Sequence, residues 1–286
     1  MKILSPAKIN LFLQVAGKRP DGYHELFSLM CCVDLCDTIS LQFGGEGIRI
    51  ESSHPQVPLD DTNLAHRAAT LFFNALNVKD GLRIFIDKSI PVAAGLGGGS
   101  SNAASVLIGL NQCYGHPFTR NRLMSMGLGL GADVPFFLFG KPALASGIGE
   151  KLEAYPGALP FQILVVYPGL RISTREVFQN LNLGLTNCEK KINKPFSINI
   201  EFDPGVHLCN DLEIVTASEY PVITSIKEQL LIRGALGALM SGSGSAVFGL
   251  FSDSHTAVSA KQAINDNTRW DAFVCNISDG SHLGGK

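Results

Sequence analysis

The stretch IPVAAGLGGGSSNAA, residues 90–104, decides how the rest of the chain reads. It follows LRIFIDK (82–88), which alternates with strand periodicity, and it leads into an apolar helical pattern expected from near Ser101 to about Tyr114. Four glycines fall within five positions, at 95, 97, 98 and 99. Where no Cβ intervenes, backbone N–H groups can come close to an anion. The helix that follows adds unpaired N–H groups and the positive end of its dipole. The hydroxyls of Ser100 and Ser101 could bind a phosphate oxygen or help to hold a metal. Residues Pro91, Val92, Ala93, Ala94, Gly95, Leu96, Gly97, Gly98, Gly99, Ser100 and Ser101 thus form a candidate cradle for nucleotide phosphates. The plain alternative is a flexible linker, but a linker is not framed so tightly by a strand and a helix. No Gly-Lys-Ser/Thr closes the segment, so it is not a Walker A loop. Ser100 stands where G-x-G-x-x-G requires its last glycine, which disfavours a dehydrogenase.

Outward from this stretch, residues 3–15 alternate: Ile9, Leu11 and Leu13 point one way, Lys8, Asn10 and Phe12 the other. Segments 37–43 and 47–52 also read as strands, and Thr62 to Leu76 reads as a helix capped by Asp61 or Thr62. Thr119 is placed as the cap of another helix. Glycines and prolines gather between Gly147 and Pro160, where a soft domain boundary is set. Beyond it, strands are expected at 161–167, 236–241, 246–251 and 272–277, and helices at 173–181, 210–217, 221–232 and 255–265. The polar stretch 184–206 reads as a surface excursion. Strands and helices interleave irregularly, so the class is α+β rather than a doubly wound sheet.

Composition limits the partners. The 286 residues are 45% hydrophobic and 17% charged, which suits a compact globular chain of one large or two coupled domains. The net charge of −2 leaves no basic field for a nucleic-acid backbone. A polyanion such as ATP must then be held by local dipoles and a few placed cations. Seven cysteines, an odd number without regular spacing, point with the absence of a secretory leader to a reducing, cytoplasmic setting. The cluster Cys31, Cys32 and Cys36 lacks a second ligand pair at zinc spacing and reads as core packing. The stretches 89–119 and 234–252 carry no Asp, Glu, Lys or Arg, but glycines and serines break them, so neither reads as a membrane span.

Three more segments could carry chemistry. In SPAKIN (5–10), Lys8 and Asn10 share a strand face; taken alone, a lysine there more often snorkels to solvent than sits in a site. In GLGLGADVPFFLFG (127–140), Asp133 is the sole charge between Arg122 and Lys141, and either caps the turn that follows or acts as a catalytic base. In LMSGSGSAVFGLF (239–251), small residues at 241–245 make either a tight hairpin or a second backbone surface against the phosphate loop.

The trio SPAKIN, PVAAGLGGGSS and SGSGSAVF, in this order and spacing, resembles the GHMP kinases, named for galactokinase, homoserine kinase, mevalonate kinase and phosphomevalonate kinase. Finer matches narrow the resemblance: AKINLFLQVAGKRPDGYHEL (7–26), DDTNLAHRA (60–68), GADVPFF (131–137), SGIGE (146–150) and CNDLE (209–213). They point to a branch acting on a cytidine-diphospho polyol in the non-mevalonate route to isoprenoid precursors. The resemblance spans nearly the whole chain and is weakest at 184–206. Ala93 stands where the family often has glycine, and fits only if its φ is negative.

The resemblance implies a two-domain fold, 1–150 and 151–286, with ATP and substrate sites in the cleft between them. It implies transfer of the ATP γ-phosphoryl group to a hydroxyl of the polyol. Lys8 and Asp133 match the catalytic pair, Asp133 as a true base or as an orienting group. Asn10, Tyr23 and His24 match the cytidine end, where the Tyr ring stacks on the base and the His backbone reads its edge; Phe178 matches a second stacking residue. Asn63 and Lys88 match positions near the adenine. Mg²⁺ is expected with ATP, its protein ligands unreadable, and the chain is expected as a monomer or homodimer. Two alternatives stand: a homoserine- or mevalonate-type kinase, and a non-catalytic ATP-binding sensor of the same fold.

Overall fold

The first strand, β1 (Lys2–Lys18), runs through the centre of the molecule. In this computed structural model, which describes residues 1–186, 188 and 201–278, residues 5 to 15 of that strand are all buried. Ile3 packs in one hydrophobic cluster, Ile9 and Leu11 in a second, Leu13 and Val15 in a third, so one strand touches all three cores. It pairs antiparallel with β2 (His24–Phe43) along nearly its whole length. The register slips between Asn10 and Phe12, leaving Leu11 without a partner. Such a bulge re-aims the neighbouring side chains. Phe12 therefore joins Ile9 and Leu11 in the second cluster instead of pointing away from them.

β2 serves three further neighbours. β4 (Leu82–Asp87) pairs with residues 38–43, β5 (Ala143–Gly147) with residues 26–30, and β11 (Asp271–Ser278) with Val33 and Cys32. β3 (Ile48–Ser52) lies parallel beside β4, and β6 (Lys151–Ala154) closes a hairpin with β5. β11 also pairs with β7 (Gln162–Tyr167), which carries β10 (Val247–Phe251) and then β9 (Gly237–Met240). The short β8 (Cys209–Asn210) lies parallel to β1 at Phe12 and Leu13. The path β3-β4-β2-β11-β7-β10-β9 thus runs unbroken from the first half of the chain to the second.

Helices cover the two ends of this sheet. α1 (Leu64–Leu76), α2 (Gly98–Cys113), α3 (Arg120–Leu128) and α4 (Val134–Phe139) supply the first cluster, packed on β2, β3 and β4. α5 (Thr174–Gln179), α6 (Pro204–His207), α7 (Glu213–Glu219), α8 (Val222–Ile232) and α9 (Ser254–Asn267) belong to the second half, where α8 and α9 supply Ile223, Ile226, Leu230, Ala257 and Ile264 to the third cluster.

Several boundaries differ from the sequence reading. α1 begins at Leu64 and is capped by Asn63, whose Oδ1 accepts from the Ala65 N–H at 2.8 Å; neither Asp61 nor Thr62 is the cap. α2 starts three residues earlier than expected, at Gly98. Thr119 caps α3 as expected. Residues 24–36 are strand although they do not alternate: from Leu29 to Val33 both faces are covered, and such a strand reads as a continuous apolar run. The glycine- and proline-rich region near 147–160 holds the β5–β6 hairpin. Of the polar stretch 184–206, residues 187 and 189–200 lie outside the described residues. Cys31 and Cys32 are buried in the core, and burial pushes the Cys32 thiol up to about 12. Cys188 and Cys209 are paired, Cα to Cα 5.6 Å, which the expectation of a wholly reduced chain did not include.

Candidate active site

The loop after β4 is shaped by its glycines. Gly95 has φ +78°, and a β-carbon there would stand 2.1 Å from the Ser241 carbonyl oxygen. Gly97 has φ +71°, and its β-carbon would meet the Phe137 ring at 2.9 Å and Lys8 Cγ at 3.0 Å. Both positions therefore exclude any side chain. Ala93 corrects the expectation of a negative φ: it sits at φ +56°, a left-handed conformation that costs an alanine roughly 1–2 kcal/mol. The loop ends at Gly97, the N-cap of α2, with no side-chain capping bond. The first N–H groups of a 16-residue helix are thus left without a side-chain cap at the cavity wall.

The segment 241–245 lies against this loop. It joins β9 to β10, so it is a hairpin connection. It is also the second backbone surface: Ser241 Oγ donates to the Gly95 carbonyl at 3.1 Å, and the Ala246 N–H donates to the Ala94 carbonyl at 3.0 Å. The sequence CNDLE explains how the connection is held. Asn210 Nδ2 donates to the Met240 and Gly242 carbonyls at 2.8 and 2.7 Å, and Thr216 Oγ1 donates to the Ser243 carbonyl at 3.2 Å.

Lys8 stands beneath both loops. Its backbone N–H donates to the Leu96 carbonyl at 2.9 Å, and its side chain is buried, against the reading that sends it to solvent. The ammonium donates to Asn10 Oδ1 at 2.5 Å and lies 3.8 Å from Asp133 Oδ2. Asn10 in turn donates to Ser28 Oγ at 2.8 Å, so the amide holds the lysine in place. Asp133 occupies the N-cap position of α4 but makes no capping bond with its side chain. The capping reading therefore lacks its hydrogen bond, and the carboxylate, 37% exposed, faces the cavity.

That cavity, about 1010 Å³, brings the predicted residues together: Lys8, Asn10, Tyr23, His24, Asn63, Lys88, Asp133, Phe178 and the whole of 91–100 line it. Ser101 does not. It is fully buried, and its hydroxyl accepts from Ser5 Oγ at 2.8 Å, because the earlier helix start turns it into the core. At one end of the cavity the His24 ring stacks on Phe178, centroids 5.1 Å apart and planes 25° apart, while Tyr23 stands 58% exposed at the rim. Burial, with the nearby Lys18 charge second, lowers the His24 pKa below 6.5, so the ring is neutral near pH 7. Asn63 also lines the cavity, with its amide committed to α1 and to the Pro58 carbonyl. The sequence reading missed Lys18, Asn102, Arg175 and Ser243, which also line the cavity. Lys18, Asn102 and Ser243 lie inside segments already singled out, and Arg175 in the helix expected at 173–181, so their position is the only signal that could have marked them.

Comparison with known proteins places the chain in a family. The pattern described as GHMP kinases N terminal domain matches residues 63–141, and that described as GHMP kinases C terminal matches 199–269. The 4-diphosphocytidyl-2-C-methyl-D-erythritol kinase of Syntrophotalea carbinolica is 50% identical over 273 residues, covering 95% of this chain and 96% of that protein. A crystal structure of 4-(cytidine 5'-diphospho)-2C-methyl-D-erythritol kinase superposes with TM-score 0.78 at 34% identity, covering 96% of this chain and 99% of the other. A homoserine kinase from Cytophaga hutchinsonii gives TM-score 0.76 at 19% identity, over 98% of this chain and 95% of its own, and shares the fold.

Proposed function

Because this chain belongs to the GHMP kinases, we propose that its cavity holds ATP along the 91–100 loop and a cytidine-diphospho polyol toward Tyr23, His24 and Phe178. The activity is that of its relatives: ATP-dependent phosphorylation of the 2-hydroxyl of 4-diphosphocytidyl-2-C-methyl-D-erythritol, a step of non-mevalonate isoprenoid precursor biosynthesis. The observation that carries the assignment of roles is the Lys8–Asp133 pair, 3.8 Å apart, in the same cavity as the uncapped start of α2.

In this reading the triphosphate lies against the N–H groups at Gly98 and Gly99, where the helix dipole offsets part of its charge. The substrate hydroxyl enters between Lys8 and Asp133. Its oxygen forms a bond to the γ-phosphorus while the bond from that phosphorus to the β–γ bridging oxygen breaks, and ADP departs. The hydroxyl proton passes to Asp133. Lys8, fixed by Asn10, orients the hydroxyl and offsets charge on the transferring group. Phosphoryl transfer passes through a loose transition state, so placement and electrostatics supply most of the catalysis. Mg²⁺ would find an oxygen donor in the Ser100 hydroxyl, which lines the cavity, and a magnesium ion takes few protein ligands beside phosphate and water. When bound it would neutralise phosphate charge.

An aromatic wall of His24 on Phe178, with the exposed Tyr23 lining the same cavity, suits a nucleobase, which stacks on π faces. No described helix is long and apolar enough to cross a membrane. The test is an ATP-consumption assay across the cytidine-diphospho polyol, free polyols, homoserine and mevalonate. Turnover confined to the first supports the reading. Equal turnover of a polyol without cytidine would remove the nucleobase slot, and nucleotide binding without transfer to any acceptor would make the chain a sensor.

A further inference from the structure

Asp37 stands on β2, away from the reacting pair, and its carboxylate is completely buried. Oδ1 accepts from the Ser89 and Ile90 N–H groups, each at 2.9 Å. Oδ2 accepts from Asn102 Nδ2 at 2.9 Å and from the Lys88 ammonium. Four donors saturate the four lone-pair positions of a carboxylate. The choice of donors is informative. Ser89 and Ile90 are the last residues before Pro91, where the phosphate loop begins. Asn102 lies in α2, the helix onto which that loop runs, and its amide also donates to Ser5 Oγ at 2.9 Å. One buried anion therefore fastens both ends of the loop.

The fourth donor links this clamp to the cavity. Lys88 is almost entirely buried, yet it lines the cavity wall. Its Nζ lies 3.1 Å from where a β-carbon on Gly98 would stand, at the first turn of α2. An ammonium has three donor positions. Asp37 takes one and thereby holds the charge beside the helix start. A simple need for core stability would not explain why all four donors belong to the loop's two ends and to one cavity lysine.

We propose that Asp37 is a positioning residue for ATP: it sets the spacing between the entry and exit of the 91–100 loop and holds the Lys88 ammonium where a nucleotide phosphate becomes its second partner. This rests on the reading that the loop binds the triphosphate. In Asp37→Asn the new Nδ2 faces two other donors, Lys88 and Asn102, while Oδ1 still serves the backbone N–H groups. The side-chain arm of the clamp opens and the size is kept.

The experiment is calorimetric titration of the folded Asp37→Asn protein with ATP and, separately, with CDP as probe of the cytidine end. ATP affinity is expected to fall about tenfold or more, on the scale of one charge-assisted hydrogen bond. CDP affinity is expected to stay within about twofold. Unchanged ATP affinity, or equal loss for both ligands, overturns the proposal, since a general structural role would move both alike. Should Asp37→Asn not fold, Asn102→Ala removes the α2 arm alone, and the same selective loss for ATP is expected, with the same two results against it. Wild-type protein titrated in parallel separates the two ideas: if it binds no ATP the functional reading itself fails, and if it binds ATP while the variants do too, only the role of Asp37 fails.

Discussion

The electrostatics of the reacting pair are set by one close neighbour. Lys8 is held by Asn10 and approached by Asp133 at 3.8 Å, beyond hydrogen-bond length, so the carboxylate keeps its acceptor positions for a substrate hydroxyl. Asp133→Ala is expected to lower kcat by about 10²–10⁴, the range for a positioned proton acceptor, while ATP binding by titration stays near wild type. Near-normal turnover would remove the assigned base. Ala93 carries strain that serves no visible contact, since it is exposed at φ +56°. Ala93→Gly should relieve roughly 1–2 kcal/mol of left-handed strain against roughly 0.5–1 kcal/mol of added chain entropy. A net gain of about 0–1.5 kcal/mol in denaturant unfolding is the expected result, and a loss would mean that the alanine methyl has a partner in solution. His24 gives a pH signature. Its pKa is lowered from 6.5 by burial, so below that value the unfolded chain takes up a proton before the folded one. Stability should fall as pH drops from 6.5 toward the lower folded value, with no contribution above 6.5 where both states are neutral. The slope of Tm against pH in that window should flatten in His24→Gln; an unchanged slope would assign the dependence to other groups.

At the scale of elements, the loop after β4 and the β9–β10 connection form one surface because Gly95 has no side chain where it meets the Ser241 carbonyl, and the Ser241 hydroxyl donates to the Gly95 carbonyl. Gly95→Ala places a methyl 2.1 Å from the Ser241 carbonyl in a left-handed conformation, and should cost about 2–4 kcal/mol by overpacking and strain together. Gly99, four residues on, would offer a β-carbon only ordinary contact, with Leu64 Cδ1 at 3.8 Å, and Gly99→Ala should stay within about 0.5 kcal/mol. Chemical denaturation of the two variants separates a loop that is permissive everywhere from one clamped at Gly95. The same contrast shows what was readable in advance. β4 alternates buried and exposed residues and was legible from its period. The 24–36 part of β2 was not, since its central run is covered on both faces and loses that period. The phosphate cradle was legible because glycine density is a local property. The burial of Lys8, the inward turn of Ser101 and the clamp at Asp37 were not, because each depends on a partner brought near by the sheet: Leu96 for Lys8, Ser5 for Ser101, and Lys88 and Asn102 for Asp37.

For the whole molecule, the proposed division into 1–150 and 151–286 meets a sheet that does not stop at the boundary. β11, the last described strand, pairs with β7 of the second half and with β2 of the first, and β8 lies against β1. A chain of 286 residues is long enough for its parts to unfold separately, and size alone would favour two transitions. The topology opposes this. Opening the second half removes β11 from Cys32 and Val33, and removes the second cluster's partners from Ile9, Phe12 and Leu29 of the first. Those apolar faces would then meet water, at about 25 cal/mol per Å² exposed. The two halves should therefore unfold as one cooperative unit. The single tryptophan, Trp270, packs on the third cluster just before β11, so its fluorescence reports the second half, while far-UV circular dichroism averages over both. Coincident denaturant curves from the two signals are the expected outcome. A tryptophan transition that precedes the loss of helix signal would show that 151–286 opens alone, and that β11 contributes little to joining the halves.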